Sequence, residues 1–208
     1  MRSYSWPLHS ESYLFMYDKF VLSENPSTNT DYVLAMIFPA NHDLAFWKSG
    51  DKEWTLLNTH NSIFFDITFY KGEFYAVEQH GKIIAMGNSS PPARPRLVAD
   101  LEFQCTSPDL SYLVESNGVL LLVLRELEDY DAYTLELGCF TVCEIDVDTG
   151  EATEKKSLGN RALFLGHNSS FSVEASPPIC KPNCIYYTDN YEINYLISDK
   201  IKRCDMVV

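Results

Sequence analysis

Positive charge is scarce in this chain of 208 residues: 16 Lys and Arg stand against 29 Asp and Glu, a formal net charge of −13. Nucleic acids and anionic membranes are held through clustered Lys and Arg, so a field of this sign opposes both as partners. A basic protein surface is the electrostatic partner it favours. Long apolar runs are missing as well. The longest strongly apolar run, Val119 to Leu124, falls far short of the roughly 20 residues of a membrane span. Near the start only Tyr13 to Tyr17 is apolar, against the about 7–15 residues that a signal peptide needs. The expected location is therefore cytoplasmic and/or nuclear. In such a reducing setting the six cysteines are expected as buried thiols, not structural disulfides. The sequons at Asn88 and Asn168 then reduce to turn chemistry.

Signatures of catalysis and of cofactor binding are also lacking. The sequence contains no Gly-x-Gly-x-x-Gly and no Walker-type Gly-Lys-Ser/Thr, so phosphate-cradling loops have no support. No Gly-x-Ser-x-Gly elbow accompanies the five histidines at 9, 42, 60, 80 and 167, and His80 and His167 sit beside turn glycines. Cys139 and Cys143 have metal-like spacing, yet on a strand residues i and i+4 lie about 13 Å apart, too far for one tetrahedral zinc. Cys180 and Cys184 span Pro182 in a loop, without a His or Cys partner nearby in sequence. The carboxylates around Glu126 lack the Asp-x-Asp-x-Asp-Gly order and distal Glu of an EF-hand. No catalytic residue, metal or cofactor is expected.

What the chain does have is strand chemistry. Tyr and Phe number 13 and 12, and with Val, Ile and Thr they suit a pleated, half-buried surface. Short β-runs alternate with turns. Residues 66–88, DITFYKGEFYAVEQHGKIIAMGN, divide at Lys71-Gly72 and His80-Gly81 into three runs, with 96–103 as a fourth strand. Asn117-Gly118 is the strongest hairpin signal in the chain, and Asp148-Thr149-Gly150 marks another pair. YVLAMIF (32–38) and LAFWKSGDKEWTLL (44–57) form an earlier unit; FLGHNSSFSVEA and CIYYTDNYEINYLI flank the breaker Ser176-Pro177-Pro178 in a last one. Four-stranded units recurring every 45 to 60 residues or so are in the range of propeller blades, although an antiparallel sandwich permits the same pattern.

Several of these segments resemble the kelch-like β-propeller of the KIB type associated with plant F-box proteins, formerly a domain of unknown function. The likeness runs through KFVLSENPSTNTDYVLAMI, LAFWKSGDKEWTLL, FYKGEFYAVEQHGKI, SLGNRALFLGHNSSFSV and KPNCIYYTDN, with LGNRALFLG and KPNCIYYTDN the most specific. It implies an all-β chain: a partial kelch-like propeller of about three to four antiparallel four-stranded blades. An irregular segment, 1–18, would precede blades at about 19–58, 63–103, 111–166 and 168–208. It implies a non-catalytic module that recognises a protein partner through loops at one rim. Family members usually begin with a Leu- and Pro-rich helical F-box. Nothing in these residues resembles one, so a ubiquitin-ligase scaffold is not counted among the expected partners.

Alternatives to recognition are a truncated family copy without independent activity and a propeller hydrolase. Contact residues are sought where charge or aromatic surface collects. From Glu102 to Glu154 there are 13 acids and one base, Arg125, a balance of −12 that leaves the rest of the chain nearly neutral. Within it Glu126, Glu128, Asp129 and Asp131 are read as an acidic loop or extended hairpin tip, offered to a Lys- or Arg-rich partner. Trp47 and Trp54 flank the Ser49-Gly50-Asp51 turn and serve either the core or as aromatic anchors. Arg161, a lone cation in an apolar strand, is expected to pair with a carboxylate of an adjacent blade. Too few blades for a protected ring would leave open edges, and self-association through them is expected.

Overall fold

The computed structural model describes residues 19–38, 43–57, 62–88, 94–101, 111–131, 134–166, 168–188 and 201–205. For 126–131, 134–139, 188 and 201–205 it describes the backbone alone. The segment 1–18, Cys105 and four of the histidines, His9, His42, His60 and His167, lie outside them. Every regular element among the described residues is a strand, and the strands form four sheets of four. These are the blades of a β-propeller.

Blade 1 comprises β1 (Lys19–Leu22), β2 (Val33–Phe38), β3 (Asp43–Lys48) and β4 (Thr55–Leu56). Blade 2 comprises β5 (Phe64–Tyr70), β6 (Glu73–Glu78), β7 (Lys82–Gly87) and β8 (Arg96–Asp100). In blade 3 are β9 (Ser111–Ser116), β10 (Val119–Asp131), β11 (Thr134–Ile145) and β12 (Ala152–Glu154). All three are plain antiparallel meanders in chain order. Their turns follow local sequence. At Lys71-Gly72 and Asn117-Gly118 both residues have positive φ, 46° and 85° in the first and 54° and 81° in the second. That backbone matches the twist of paired strands, and Gly and Asn adopt it with little strain.

Blade 4 departs from the meander. It comprises β13 (Arg161–Leu165), β14 (Phe171–Glu174), β15 (Cys184–Thr188) and β16 (Ile201–Asp205), in the order β14-β13-β15-β16. β13 pairs antiparallel with β14 and parallel with β15. Arg161–Leu165, assigned by sequence to the third blade, thus belongs to the fourth: no pairing joins it to β12, whereas both its edges are filled by β14 and β15. A second consequence is that the chain enters this blade one strand away from the axis. β1, β5, β9 and β14 are the strands that pack on one another across the blades.

Burial is organised between blades. Val33, Ala35, Ile37, Leu44 and Phe46 of blade 1 meet Phe64, Ile67, Phe74, Ala76 and Met86 of blade 2. Phe74 takes Phe46 and Phe69 edge to face, at 5.5 and 4.9 Å between ring centroids. Tyr75, Val77 and Ile83 of blade 2 meet Leu113, Leu120 and Leu122 of blade 3, and Val114, Leu121 and Val123 on the reverse of blade 3 meet Leu163, Leu165, Ile185 and Tyr187 of blade 4. A sheet buried on both faces explains the unbroken apolar run Val119–Leu124, since alternate residues serve different joints. Each such buried side chain contributes about 1.5–3 kcal/mol over its exposed state.

One polar group ties three inner strands together. Asp66 is buried at a bulge in β5 and ion-pairs with Lys19 of β1. Its Oδ1 accepts the Ile67 amide and its Oδ2 the Leu113 amide of β9, each at 2.7 Å. Burial pushes the Asp66 carboxyl up, while Lys19 and the two amides pull it down. This node was not read from the sequence. Its one local sign is a carboxylate inside an otherwise apolar strand, Phe64–Tyr70.

Candidate protein-interaction site

Two contacts orient the rims. Lys19, Asp66 and Leu113 set the starts of β1, β5 and β9 side by side. Tyr70 Oη donates to the Gly118 carbonyl at 2.6 Å, which sets the ends of β5 and β9 side by side. These inner strands run in the same sense, and their ends define an upper rim. Antiparallel pairing then carries the β3–β4 turn to the upper rim and the β10–β11 turn to the lower. The tryptophans and the acidic residues singled out by sequence therefore lie on opposite rims.

At the upper rim of blade 1 the two tryptophans divide the work. Trp47 is half-buried; its Nε1 donates to the Asp51 carbonyl at 2.8 Å and its ring meets Tyr32 at 6.1 Å. Asp51 Oδ2 in turn accepts the Lys48 amide at 3.1 Å, and Lys48 pairs with Asp31 at 2.7 Å. Trp47 thus fixes the turn and joins it to the β1–β2 loop. Trp54, held on the far side of that turn, is 40% exposed. A large ring kept half in water on a braced turn is available as an anchor. Tyr32 completes the cluster and was not singled out from the sequence, because its pairing with Trp47 crosses strands.

At the lower rim the acidic stretch is a hairpin and not a loop. β9 pairs with residues 119–124 of β10, and β12 with 143–145 of β11. From Arg125 to Asp131, and from Thr134 to Phe140, the described strands pair only with each other. Glu126, Glu128, Asp129 and Asp131 are carried on this two-stranded extension. Arg125, at its base, is buried, with its guanidinium 4.8 Å above the Tyr187 ring of blade 4. The one base of the acidic region thus lies at a joint between blades.

Other groups singled out by sequence are structural in their contacts. Arg161 Nε donates to Ser172 Oγ at 2.7 Å, and Ser172 shares a 2.8 Å hydrogen bond with Ser116 of blade 3. The expected carboxylate partner is replaced by a hydroxyl relay, because the strand beside Arg161 is β14 of its own blade. Cys180 and Cys184 are buried thiols outside any disulfide, and Cys184 Sγ donates to the Pro182 carbonyl at 3.2 Å. Cys143 is a half-buried free thiol pushed up by burial and by Glu154. His80 is exposed in the β6–β7 turn. On the edge of blade 3 a cleft of about 350 Å³ is lined by acids, but Glu144 is paired with Lys155 at 2.7 Å and Glu154 with Lys156. Among the described residues no three His, Cys, Asp or Glu side chains gather as a metal site, and no helix is long and apolar enough to cross a membrane.

The chain is similar to F-box proteins of Arabidopsis thaliana. At5g55150, named as an F-box protein, is 32% identical over 176 residues, covering 82% of this chain and 48% of its own length. F-box protein SKIP23 is 27% identical over 169 residues, covering 71% and 40%. F-box protein At2g26160 is 28% identical over 195 residues, covering 85% and 59%. The chain spans about half the length of these curated relatives. No solved structure matches it. The profile of the KIB1-4 β-propeller family matches residues 4–206. With four blades of four strands and the match running almost end to end, the chain belongs to the KIB1-4 β-propeller family.

Proposed function

We propose that this propeller is a non-catalytic recognition module that holds a protein partner on its rims, as the corresponding part of an F-box protein would. The observation that carries the reading is the match of residues 4–206 to a propeller family whose relatives are named F-box proteins. Contact, not bond chemistry, is the mechanism. On the upper rim Trp54 offers apolar area without the entropy cost of a long flexible side chain. On the lower rim the acidic hairpin sets the sign of the partner, a Lys- or Arg-rich protein surface, and speeds encounter at low ionic strength. The cytoplasm or nucleus is part of the same proposal.

The test is affinity capture from plant extract with the wild-type chain, with Trp54→Ala, and with Glu126, Glu128, Asp129 and Asp131 all changed to Lys. Partners lost with one variant assign the rim that holds them; a captured set that neither variant alters would sink the rim reading. Probes directed at serine nucleophiles and at metal sites supply the opposing arm. Labelling abolished by one His or Asp substitution would replace recognition by a hydrolase.

A further inference from the structure

The outer edge of blade 3 is an open ladder. β12 is the last strand of its sheet, pairs with β11 alone among the described residues, and is exposed along its whole length, Ala152–Glu154. The outer edge of blade 2 is closed by comparison: at Val98 of β8 it meets Gly150 of the β11–β12 turn so closely that a Cβ has no room. Two hydrogen bonds fix which groups of β12 look outward. The Asp146 amide donates to the Glu151 carbonyl at 2.9 Å, and the Lys155 amide to the Val142 carbonyl at 2.7 Å. Hydrogen-bonded and non-hydrogen-bonded pairs alternate along an antiparallel ladder, so Glu151, Thr153 and Lys155 turn their main-chain groups to β11. Ala152 and Glu154 turn their amides and carbonyls the other way, to the free edge.

Beside that edge lies the cleft of about 350 Å³. Opposite residues of a ladder share a face, as do residues two apart, so Glu144, Asp146, Glu151, Thr153 and Lys155 stand on one face, and all of them line the cleft. Its lysines are already engaged, Lys155 with Glu144 and Lys156 with Glu154. Asp146 and Glu151, joined as the closing pair of the turn, are both exposed and form no ion pair among the described residues. We infer that β12 receives one more strand: an extended, antiparallel segment of a protein partner, with a Lys or Arg set opposite Glu151. The outward amides and carbonyls of Ala152 and Glu154 hold its main chain whatever its sequence, and the cation placed on the cleft side, near Glu151 and Asp146, selects the sequence. This surface lies off both rims and does not rest on the rim reading.

Fluorescence anisotropy with a labelled peptide of alternating threonine and lysine tests it. In the inferred register the lysines stand on the cleft side and the threonines opposite Ala152 and Glu154, so only threonine amides bond to β12. Methylating the threonine amides is expected to weaken binding about tenfold, and methylating the lysine amides to leave it near that of the parent peptide. Equal behaviour of the two methylated peptides, or the reverse order, overturns strand addition. Ala152→Pro removes an outward amide that the ladder to β11 does not use, and is expected to weaken the parent peptide about tenfold. Glu151→Lys is expected to do the same, and carries the test should the Pro variant lose the wild-type circular dichroism. Unchanged binding by either folded variant, or no binding by the wild type, overturns the inference. The variant with Lys at 126, 128, 129 and 131 is expected to keep the peptide; loss there alone assigns binding to the lower rim and overturns it too. So does a wild-type dimer abolished by Ala152→Pro in sedimentation velocity, because β12 would then pair with a second copy.

Discussion

At the residue scale the molecule turns on Asp66. Removing one member of a buried ion pair leaves the other uncompensated, at a cost of about 3–5 kcal/mol, and Asp66→Ala also strands the Ile67 and Leu113 amides. Lys19→Met is expected to cost less, about 1–3 kcal/mol, because the carboxyl, already raised by burial, can take up a proton and still accept both amides. Urea unfolding of the two variants checks the order; equal losses would show that the ion pair, not the amide contacts, dominates. Residues of this kind were hidden in the sequence. Asp66 reaches Lys19 and Leu113 only once three blades are in place, as Arg161 reaches Ser172 only once β14 folds back beside it. Trp54 was legible because its turn, Ser49-Gly50-Asp51, is local; Tyr32 behind Trp47 was not.

At the scale of the element, turns were the most legible and blade membership the least. Lys71-Gly72 and Asn117-Gly118 connect strands where their sequences say they should, since a two-residue turn with positive φ is specified within the turn itself; the three-residue turn Gln79-His80-Gly81 also falls where expected, with positive φ at Gly81. The place of β13 was not, since a strand of five residues pairs equally well with either neighbour until its edges are filled. Two glycines separate local from long-range demand. Both have φ near +80°, but a Cβ on Gly118 meets nothing, whereas one on Gly150 would stand 2.3 Å from the Val98 carbonyl oxygen in blade 2. Gly118→Ala is expected to cost about 1–2 kcal/mol, the price of a left-handed residue. Gly150→Ala is expected to cost clearly more, because backbone must move, and denaturation midpoints of the two variants check the difference.

The same turn carries a pH effect of definite sign. Asp146 accepts the Asp148 and Thr149 amides at 2.9 and 3.0 Å, and these bonds hold its carboxyl below the ordinary value. A depressed carboxylate favours the folded state above its unfolded pKa, and that contribution is lost as pH falls through the lower folded value. Wild type is therefore expected to be more stable than Asp146→Asn at neutral pH, with the gap closing as pH falls below about 4. Thermal midpoints of both proteins from pH 7 downward measure it, and a gap that does not depend on pH would refute the assignment.

At the scale of the whole molecule, stability is shared. Each of the three joints draws on two blades, so no blade keeps its core when its neighbour opens. Unfolding in urea is expected to be one transition, with tryptophan fluorescence, measured on Trp6→Phe so that only Trp47 and Trp54 of blade 1 report, coinciding with the far-ultraviolet signal of all strands. Phe74→Ala, at the first joint, is expected to shift both signals together by about 3–5 kcal/mol. Charge, by contrast, is not shared: the −12 of residues 102–154 belongs to blade 3 and the chain leading into it. Capture of a basic partner should weaken as salt rises, and loss of that dependence in the four-lysine variant locates the field on the hairpin.

The strand order of the fourth blade decides where the protein tolerates being shortened. In the first three blades the stave nearest the axis is laid first; in the last it is laid second, as β14. A stop codon after Glu174 would leave all four staves standing but strip Ile185 and Tyr187 from the joint with blade 3. One after Leu165, nine residues earlier, would pull a stave from the barrel and open its middle to water.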